Sequence, residues 1–257
     1  MSSILRYLRL ISVADLFTAG NGVFGALAIY FFITRSPDIA LGTGLIFLGM
    51  LCDGADGYMA RKFGTRHNYG HYLDSMSDSI TFGLAPGVLV FTRYHGSVGG
   101  DMALLVNALV IAIAATVVVL AWMRLYRFTL KDHGKSGFYG LATPGMTFFV
   151  LLCAHILTPD APMHVYLALA LTLMAASLMV AYRVRYPKIH GPTGFVVAVT
   201  TILAVVVVQI MMHSTSSPEI LTLRMYRAVT YLALGIIAGY IFIAPFYMKM
   251  GLEGWHG

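Results

Sequence analysis

Charged residues are scarce in this sequence. Only 11% of the 257 residues are Asp, Glu, Lys or Arg, whereas 58% are hydrophobic and the mean hydropathy is +0.78. A soluble domain carries about 25% charged residues, because these residues cover the surface that faces water. A chain with so few of them cannot form such a surface. The composition therefore excludes an ordinary soluble protein and indicates a polytopic membrane protein.

Other shortages narrow the class of protein further. The two cysteines, Cys52 and Cys153, are far apart in apolar segments, which excludes a disulfide scaffold and indicates two buried thiols. The net charge of +6 is not concentrated in a basic run with interleaved aromatic residues, so we expect no nucleic-acid partner. The nine histidines show no spacing typical of metal ligands. No cleavable signal pattern is evident, so we expect the first spanning helix to direct insertion.

Long apolar stretches separated by short polar turns predict an all-α fold, a polytopic integral membrane helical bundle of about eight transmembrane helices. We expect one domain over residues 1–257, with the transmembrane bundle over 14–248. Residues 1–12 mix arginines with apolar residues, which is typical of a short amphipathic segment on the membrane surface. The predicted helices cover about residues 14–34, 39–61, 70–92, 102–123, 145–158, 163–182, 193–212 and 228–248.

The basic residues predict the orientation of this bundle. Most of the 17 Lys and Arg residues fall on one side of the membrane if the bundle has eight spans, and cytoplasmic loops are enriched in Lys and Arg. We therefore expect a protein of the cell membrane with both termini on the cytoplasmic side. The turn between the second and third predicted helices then lies at the cytoplasmic face as well.

Four aspartates flank that turn within 26 residues: Asp53, Asp56, Asp74 and Asp78. The first two are three residues apart and the last two are four apart, so each pair shares one helix face. Carboxylates held together repel one another unless they are protonated or bind cations. Asp oxygens suit Mg²⁺ or Mn²⁺, so the pattern predicts a divalent-metal site. Gly57 and Gly70 lie beside the two pairs and leave room for a close approach.

These residues form a longer pattern with fixed spacing. From Asp53 to Asp78 the chain reads Asp-x-x-Asp-Gly-x-x-Ala-Arg-x8-Gly-x-x-x-Asp-x-x-x-Asp. This resembles the signature of the CDP-alcohol phosphotransferase family of integral membrane enzymes. Segments around Ser79–Pro86, Gly140–Pro144 and Tyr182–Ile189 resemble the phosphatidylserine synthase branch of that family, including its archaeal archaetidylserine synthase members.

The resemblance implies a reaction and roles for particular residues. A phosphatidyl-type group passes from a CDP-linked lipid, either CDP-diacylglycerol or CDP-archaeol, to the hydroxyl of L-serine, and CMP is released. The resemblance makes Asp78 the general base that takes the proton of that hydroxyl, and Asp78 is also a candidate metal ligand. It implies about two ions of Mg²⁺ or Mn²⁺, which neutralise charge on the phosphates. The CDP-lipid site is expected to comprise Thr18, Asn21, Asp53, Asp56, Gly57, Arg61, Gly70 and Asp74, with Asp15 on the same helix face.

Serine brings a carboxylate and the lipid brings phosphates, so both need cations near the aspartates. The possible acceptor or phosphate contacts are Arg124, Arg127, Arg183, Arg185 and Lys188. Two alternatives remain open at this point. The same chemistry is compatible with inositol phosphate or glycerol phosphate as acceptor, and intramembrane carboxylates also occur in cation transporters. The family resemblance further implies a homodimer in the lipid bilayer.

Overall fold

A computed structural model describes residues 12–34, 39–63, 70–132, 138–181, 184–186, 200–207 and 220–249. Its helices are α1 (Val13–Thr34), α2 (Ala40–Phe63), α3 (Gly70–Asp78), α4 (Ala85–Tyr94), α5 (Ala103–Arg127), α6 (Thr143–Ile156), α7 (Pro162–Val180), α8 (Ile220–Phe242) and α9 (Ala244–Lys249). The described residues also form two π-helical segments (Ser79–Leu84 and Phe128–Asp132), a 3₁₀ turn (Gly100–Met102) and two short strands, β1 (Phe138–Tyr139) and β2 (Arg185–Tyr186). Residues 200–207 are also helical.

The all-α prediction is confirmed. Four helical stretches among the described residues are long and apolar enough to cross a membrane: Val13–Thr34, Gly100–Leu130, Pro162–Val180 and Arg224–Phe246. The shorter helix Thr143–Ile156 is also apolar. The predicted surface segment 1–12 lies outside the described residues except for Ser12, and the seventh predicted helix is described only over 200–207.

The last long helix begins earlier than the sequence predicts. The predicted start, near residue 228, lies after Arg224 and Arg227, because charged residues are costly inside a membrane. In the structure α8 begins at Ile220 and includes both arginines, whose side chains are exposed. Long basic side chains at a helix end extend toward water while their stems stay in apolar surroundings. The charges therefore do not end the helix.

The third predicted helix is interrupted rather than continuous. Between α3 and α4 the chain forms the π-helical segment Ser79–Leu84. Pro86 explains part of this irregularity, because proline has no N–H to donate to the Phe82 carbonyl four residues earlier. The hydroxyl of Thr147 on α6 donates to that carbonyl instead, over 3.0 Å. The segment directly follows Asp78, so the backbone changes its hydrogen-bonding pattern at the edge of the aspartates.

Helix α1 holds the two aspartate-bearing helices together. It forms the most extensive helix pair of the described structure with α2 and also packs against α3, the π segment and α4. Close approach is possible because glycines lie at the contacts. A Cβ on Gly25 would lie 2.8 Å from Cα of Thr81, and a Cβ on Gly49 would lie 3.0 Å from Oδ1 of Asn21. The first turns of α1 and α3 and the last turns of α2 thus meet at one end of the bundle.

Two apolar clusters form the core behind this end. One joins α1, α2, α4 and α6 around Phe32, Phe47 and Phe82. The other joins α4, α5, α6 and α7 and includes Tyr186 of β2 and Ile241 of α8. All three phenylalanines and Tyr186 are fully buried. Apolar burial on this scale fixes the helices, and with them the residues at the helix ends.

Candidate active site

Three aspartates come together where α2 ends and α3 begins. Each of Asp53, Asp56 and Asp74 offers one carboxylate oxygen, and these three oxygens lie within 4.8 Å of one another. We call these three residues the aspartate cluster. The helix spacing explains the arrangement, because residues three apart on α2 face the first turns of α3 across the connecting turn. Asp56 is buried, and the other two carboxylates are half-buried.

The aspartate cluster has the chemistry and the size of a divalent-metal site. Mg²⁺ binds oxygen ligands at about 2.0–2.1 Å in octahedral geometry, which places two neighbouring ligand oxygens about 3 Å apart. The three oxygens of the cluster, within 4.8 Å of one another, need only a small adjustment to share one ion. Asp74 and Asp53 lie on different helices, so a bound ion would also tie α2 to α3.

Asp78 lies next to the cluster and has its own partner. It is one helical turn beyond Asp74, and its Oδ1 accepts a hydrogen bond of 3.0 Å from Nδ2 of Asn21 on α1. Asn21 is fully buried, so its amide is held in place by the helix packing. The hydroxyl of Thr81 donates to the backbone carbonyl of Asn21 over 2.8 Å, which fixes the same turn of α1. One oxygen of Asp78 is therefore oriented by a neutral donor.

Thr18 orients Asp56 in the same way. Its hydroxyl lies 2.6 Å from Oδ2 of Asp56 and is buried between α1 and α2. Asp15, one turn earlier, forms a reciprocal cap at the start of α1. Its Oδ2 accepts from the backbone N–H of Ser12 over 2.8 Å, and its own N–H donates to the hydroxyl of Ser12 over 3.1 Å. The structure thus gives Asp15 a capping contact, and gives Thr18 and Asn21 direct contacts with the aspartates.

The two glycines of the pattern line the same end of the bundle. Gly57 follows Asp56 in α2 and is half-buried, and Gly70 is the first residue of α3. A Cβ on Gly70 would lie 3.7 Å from Oδ1 of Asp15, so the start of α3 faces the start of α1. Arg61 belongs to the last turns of α2, and its side chain lies outside the described part of the structure.

The predicted basic contacts lie in different surroundings. Arg124 on α5 is only 6% exposed, and its guanidinium carbon lies 5.0 Å from the ring centre of Phe128. Arg127 donates from Nη2 to the backbone carbonyl of Tyr139. Arg185 is exposed. Arg183 and Lys188 lie outside the described residues.

A small ribbon places Arg185 opposite the strand that Arg127 contacts. Strands β1 and β2 are antiparallel, with Tyr139 opposite Arg185, and the guanidinium carbon of Arg185 lies 5.1 Å from the ring centre of Tyr139. Gly140 follows at φ +81°, and the carbonyl oxygen of Met179 occupies the space that a side chain would need. The sequence analysis did not predict this ribbon, although it singled out the segments Gly140–Pro144 and Tyr182–Ile189, which lie at its two strands.

The sequence analysis also missed two contacts between elements near the site. The hydroxyls of Ser75 on α3 and Thr129 after α5 lie 2.9 Å apart, which joins the aspartate-bearing helix to the end of α5. Tyr186 of β2 donates its hydroxyl to the backbone carbonyl of Ile241 on α8, over 3.2 Å. Neither contact has a local sequence pattern, because each depends on residues at least 50 positions apart.

The fold and the site define a membrane-embedded helical protein with clustered aspartates at one end, and comparison with known families identifies its class. Residues 11–182 match CDP-alcohol phosphatidyltransferases. The matched region covers well over half of the chain and includes α1 to α7 and every aspartate of the pattern. The chain belongs to the CDP-alcohol phosphatidyltransferase family, and the prediction of a membrane phosphotransferase of this family is confirmed.

Individual relatives extend the likeness to particular enzymes. The chain is 28% identical over 200 residues to a CDP-diacylglycerol–serine O-phosphatidyltransferase of Methanocaldococcus jannaschii, covering 77% of this chain and 85% of the relative. It is 30% identical over 183 residues to an archaetidylserine synthase of Methanothermobacter thermautotrophicus, covering 70% and 72%. It is 28% identical to a CDP-diacylglycerol–serine O-phosphatidyltransferase of Helicobacter pylori, covering 68% and 71%.

Proposed function

We propose that this protein transfers the phosphatidyl-type group of a CDP-linked lipid to the hydroxyl of L-serine and releases CMP. The observation that carries the proposal is the aspartate cluster, Asp53, Asp56 and Asp74. It lies in a chain that is similar over most of its length to relatives named as a serine O-phosphatidyltransferase and an archaetidylserine synthase. The serine oxygen forms a bond to the phosphorus that bears the lipid. The bond from that phosphorus to the bridging oxygen breaks, and CMP leaves with the electron pair.

In this proposal the aspartate cluster holds Mg²⁺ or Mn²⁺, with about two ions in the complete site and Asp78 as a further candidate ligand. A bound divalent ion would neutralise charge on the transferring phosphoryl group and on the leaving CMP. The support from the structure is the donor set, since three carboxylate oxygens within 4.8 Å of one another suit a small hard cation. Thr18 fixes the orientation of Asp56 by its hydrogen bond of 2.6 Å.

Asp78 takes the proton of the serine hydroxyl as that oxygen attacks. The hydrogen bond from Asn21 occupies Oδ1 of Asp78 and orients the carboxylate, and Oδ2 is the atom that we assign to the proton. The CDP-lipid lies along Gly57, Arg61 and Gly70, with Thr18 and Asn21 on the α1 side. Among the described basic residues, we assign Arg124 to a substrate phosphate or carboxylate, because its side chain is buried in the last turn of α5.

The proposal includes the setting of the enzyme. The site faces the cytoplasm, because most Lys and Arg residues then fall on the cytoplasmic side. The family resemblance adds a homodimer, which the mass of the purified protein–detergent complex tests. A complex that contains one chain would contradict the homodimer without affecting the proposed reaction.

The experiment is CMP release by the purified protein with CDP-lipid, offered L-serine, glycerol 3-phosphate or inositol 1-phosphate in parallel. We expect release with L-serine, loss of activity with a chelator, and recovery with Mg²⁺ or Mn²⁺. Release that requires a phosphorylated acceptor would overturn the serine assignment and keep the family chemistry. Metal movement across sealed vesicles without CDP-lipid would instead favour a transporter.

A further inference from the structure

The first turn of α6 contains a buried hydroxyl group that the fold leaves unused. Thr143 is the first residue of α6 and is fully buried, and within the part of the chain that the structure describes its Oγ1 has no hydrogen-bond partner. A buried threonine inside a helix often donates to the carbonyl four residues earlier, as Thr230 donates to Tyr226 over 2.8 Å. For Thr143 that position is Tyr139 in β1, outside the helix, and its carbonyl accepts from Arg127 instead.

The backbone of the same turn carries further free donors. The first N–H groups of an α-helix have no acceptor within the helix, and the positive end of the helix dipole lies there. In α6 the N–H of Met146 donates to the carbonyl of Ala142 over 3.0 Å. Pro144 has no N–H, so the free groups of this turn belong to Thr143 and Gly145. Two N–H groups and one hydroxyl at a helix N-terminus have the chemistry of an anion site.

Hydrogen bonds from the preceding residues hold this turn in place. The N–H of Leu141 donates to the carbonyl of Leu178 on α7 over 2.9 Å, and the N–H of Gly140 donates to the carbonyl of Val184 over 2.8 Å. The guanidinium of Arg127 adds a positive charge beside the strand that leads into α6. The donors are therefore positioned before any anion binds.

Two hydrogen bonds show that α6 runs in the same direction as the π segment and α4. At the near end, the hydroxyl of Thr147 donates to the carbonyl of Phe82 over 3.0 Å. At the far end, the hydroxyl of Tyr94 donates to the carbonyl of Leu157, directly after α6, over 2.9 Å. The two elements are therefore parallel, and a step back along one corresponds to a step back along the other.

One step back brings the free hydroxyl to the level of the proposed base. Four residues before Thr147 is Thr143, and four residues before Phe82 is Asp78. Residues four apart share a helix face, so Thr143 faces the same neighbouring element as Thr147. Helix side chains tilt toward the N-terminus, which directs the Thr143 hydroxyl toward the end of the bundle that carries the aspartates. The anion site thus approaches Asp78 from α6, whereas Asn21 contacts it from α1.

An acceptor amino acid requires such donors close to its base. The aspartates repel a carboxylate, so the carboxylate of the acceptor must bind elsewhere while its hydroxyl approaches Asp78. In serine these two groups are only about 3–5 Å apart, which is less than one helical turn. The donors for the carboxylate must therefore lie beside the turn of Asp78, which is the position of the first turn of α6.

We propose that the first turn of α6 binds the carboxylate of the acceptor amino acid, through the Thr143 hydroxyl and the free N–H groups of the helix. This inference rests on the proposed serine transfer and adds a specificity-determining residue to it. Thr143 favours an acceptor that carries a carboxylate beside its hydroxyl. The proposal also gives a function to the segment Gly140–Pro144, which the sequence pattern contains and the aspartates do not explain.

The test compares three variants of the full-length purified protein. Thr143→Val keeps the shape and removes the hydroxyl, so we expect the KM for L-serine to rise about tenfold or more, because a hydrogen bond to a charged group is lost. The KM for CDP-lipid should stay within about twofold. The preference for L-serine over L-serinamide, which lacks the carboxylate, should fall by the same factor as the serine KM rises. Thr143→Ser, which keeps the hydroxyl, should retain most of that preference.

The matched control is Thr230→Val, the same substitution at a buried threonine of α8 whose hydroxyl has a local acceptor. It should leave both KM values and the preference unchanged. Thermal unfolding without serine separates binding from structure. Thr143→Val should not lower the melting temperature, because no hydrogen bond within the protein is lost. Thr143→Ala removes the same hydroxyl and replaces Thr143→Val if that variant does not fold.

The outcomes separate this inference from the proposed function. An unchanged serine KM in Thr143→Val, or an equal rise of the KM values for L-serine and CDP-lipid, would overturn the inference alone. A lower melting temperature of Thr143→Val with an unchanged preference would show that the hydroxyl is structural and would also overturn it. A parent protein inactive with L-serine would overturn the proposed function and the inference with it.

Discussion

Thr18 controls the position of one carboxylate of the aspartate cluster. Its hydroxyl lies 2.6 Å from Oδ2 of Asp56, in a buried contact between α1 and α2. Thr18→Val keeps the shape and removes the donor. A hydrogen bond to a charged group contributes about 1.5–3 kcal/mol, so we expect kcat/KM for CMP release to fall about 10- to 100-fold.

The control for Thr18 lies at the other end of the same helix. The hydroxyl of Thr34 donates to the carbonyl of Tyr30 over 2.8 Å and is far from the aspartates along the helix. Thr34→Val should leave kcat/KM within about twofold of the parent value, because substitutions at exposed positions have small effects. Equal losses in both variants would show that the hydroxyl of Thr18 has no special role.

Substitution of Asp78 tests the proposed proton transfer. Asp78→Asn keeps the size of the side chain and loses the base, so we expect the rate of CMP release to fall about 10²- to 10⁴-fold. CDP-lipid should still bind to the variant, and the increase in melting temperature that measures this binding should change little. Asp101→Asn, at an exposed aspartate beyond α4, is the matched control. A variant of Asp78 that retains most of the parent rate would rule out the general-base role.

The residue-scale features were partly predictable. Fixed spacing along two helices predicted that Asp53, Asp56, Asp74 and Asp78 come together, because helix periodicity determines which residues share a face. The structure brings carboxylate oxygens of the first three within 4.8 Å of one another. The contacts of Thr18 and Asn21 were predicted as part of a lipid site, but their particular partners were not. Which aspartate each residue contacts depends on the axial offset of α1 against α2 and α3, and the sequence pattern does not contain that offset.

At the scale of elements, the close packing of α1 against the π segment positions Asn21 and hence Asp78. A Cβ on Gly25 would lie 2.8 Å from Cα of Thr81, so Gly25→Ala must push the two elements apart. Overpacking of this kind costs about 1–3 kcal/mol. We expect the melting temperature to fall by several degrees and the rate of CMP release to fall with it.

Gly239→Ala on α8 is the comparison for Gly25. A Cβ at Gly239 meets no atom within 4 Å, so alanine there should be neutral or slightly stabilising. Thermal unfolding of both variants in the same detergent measures the difference. If Gly25→Ala is as stable and active as Gly239→Ala, the contact between α1 and the π segment can accommodate a methyl group, and the prediction is wrong.

The irregular elements explain why the rest of the fold escaped prediction. The helices that flank the aspartates follow from apolar length and polar turns. The π segment has a local signal in Pro86, but a proline more often predicts an ordinary helix start. The ribbon consists of two residues in each strand, which is too short for a period of two to be visible. Its position depends on the contact between Tyr186 and Ile241, residues 55 positions apart.

At the scale of the whole molecule, the helix directions predict on which side of the membrane each loop lies. The α3–α4 helix pair starts at Gly70 beside the aspartates and ends at Tyr94, so Asp101 belongs to the opposite face. In a background with Cys52→Ala and Cys153→Ala, an impermeant maleimide should label Asp101→Cys from outside the cell. It should label Arg185→Cys only in inside-out vesicles. The reverse pattern would contradict the proposed cytoplasmic site.

The most direct test of the central claim follows the serine oxygen itself. The purified protein is given CDP-lipid, Mg²⁺ or Mn²⁺, and L-serine labelled with ¹⁸O in its hydroxyl, and both products are analysed by mass spectrometry. We predict that the lipid product carries serine and retains the ¹⁸O, while CMP carries none, because the serine oxygen attacks phosphorus and the bridging oxygen leaves with CMP. Label in CMP, or CMP release without a serine-containing lipid, would contradict the account.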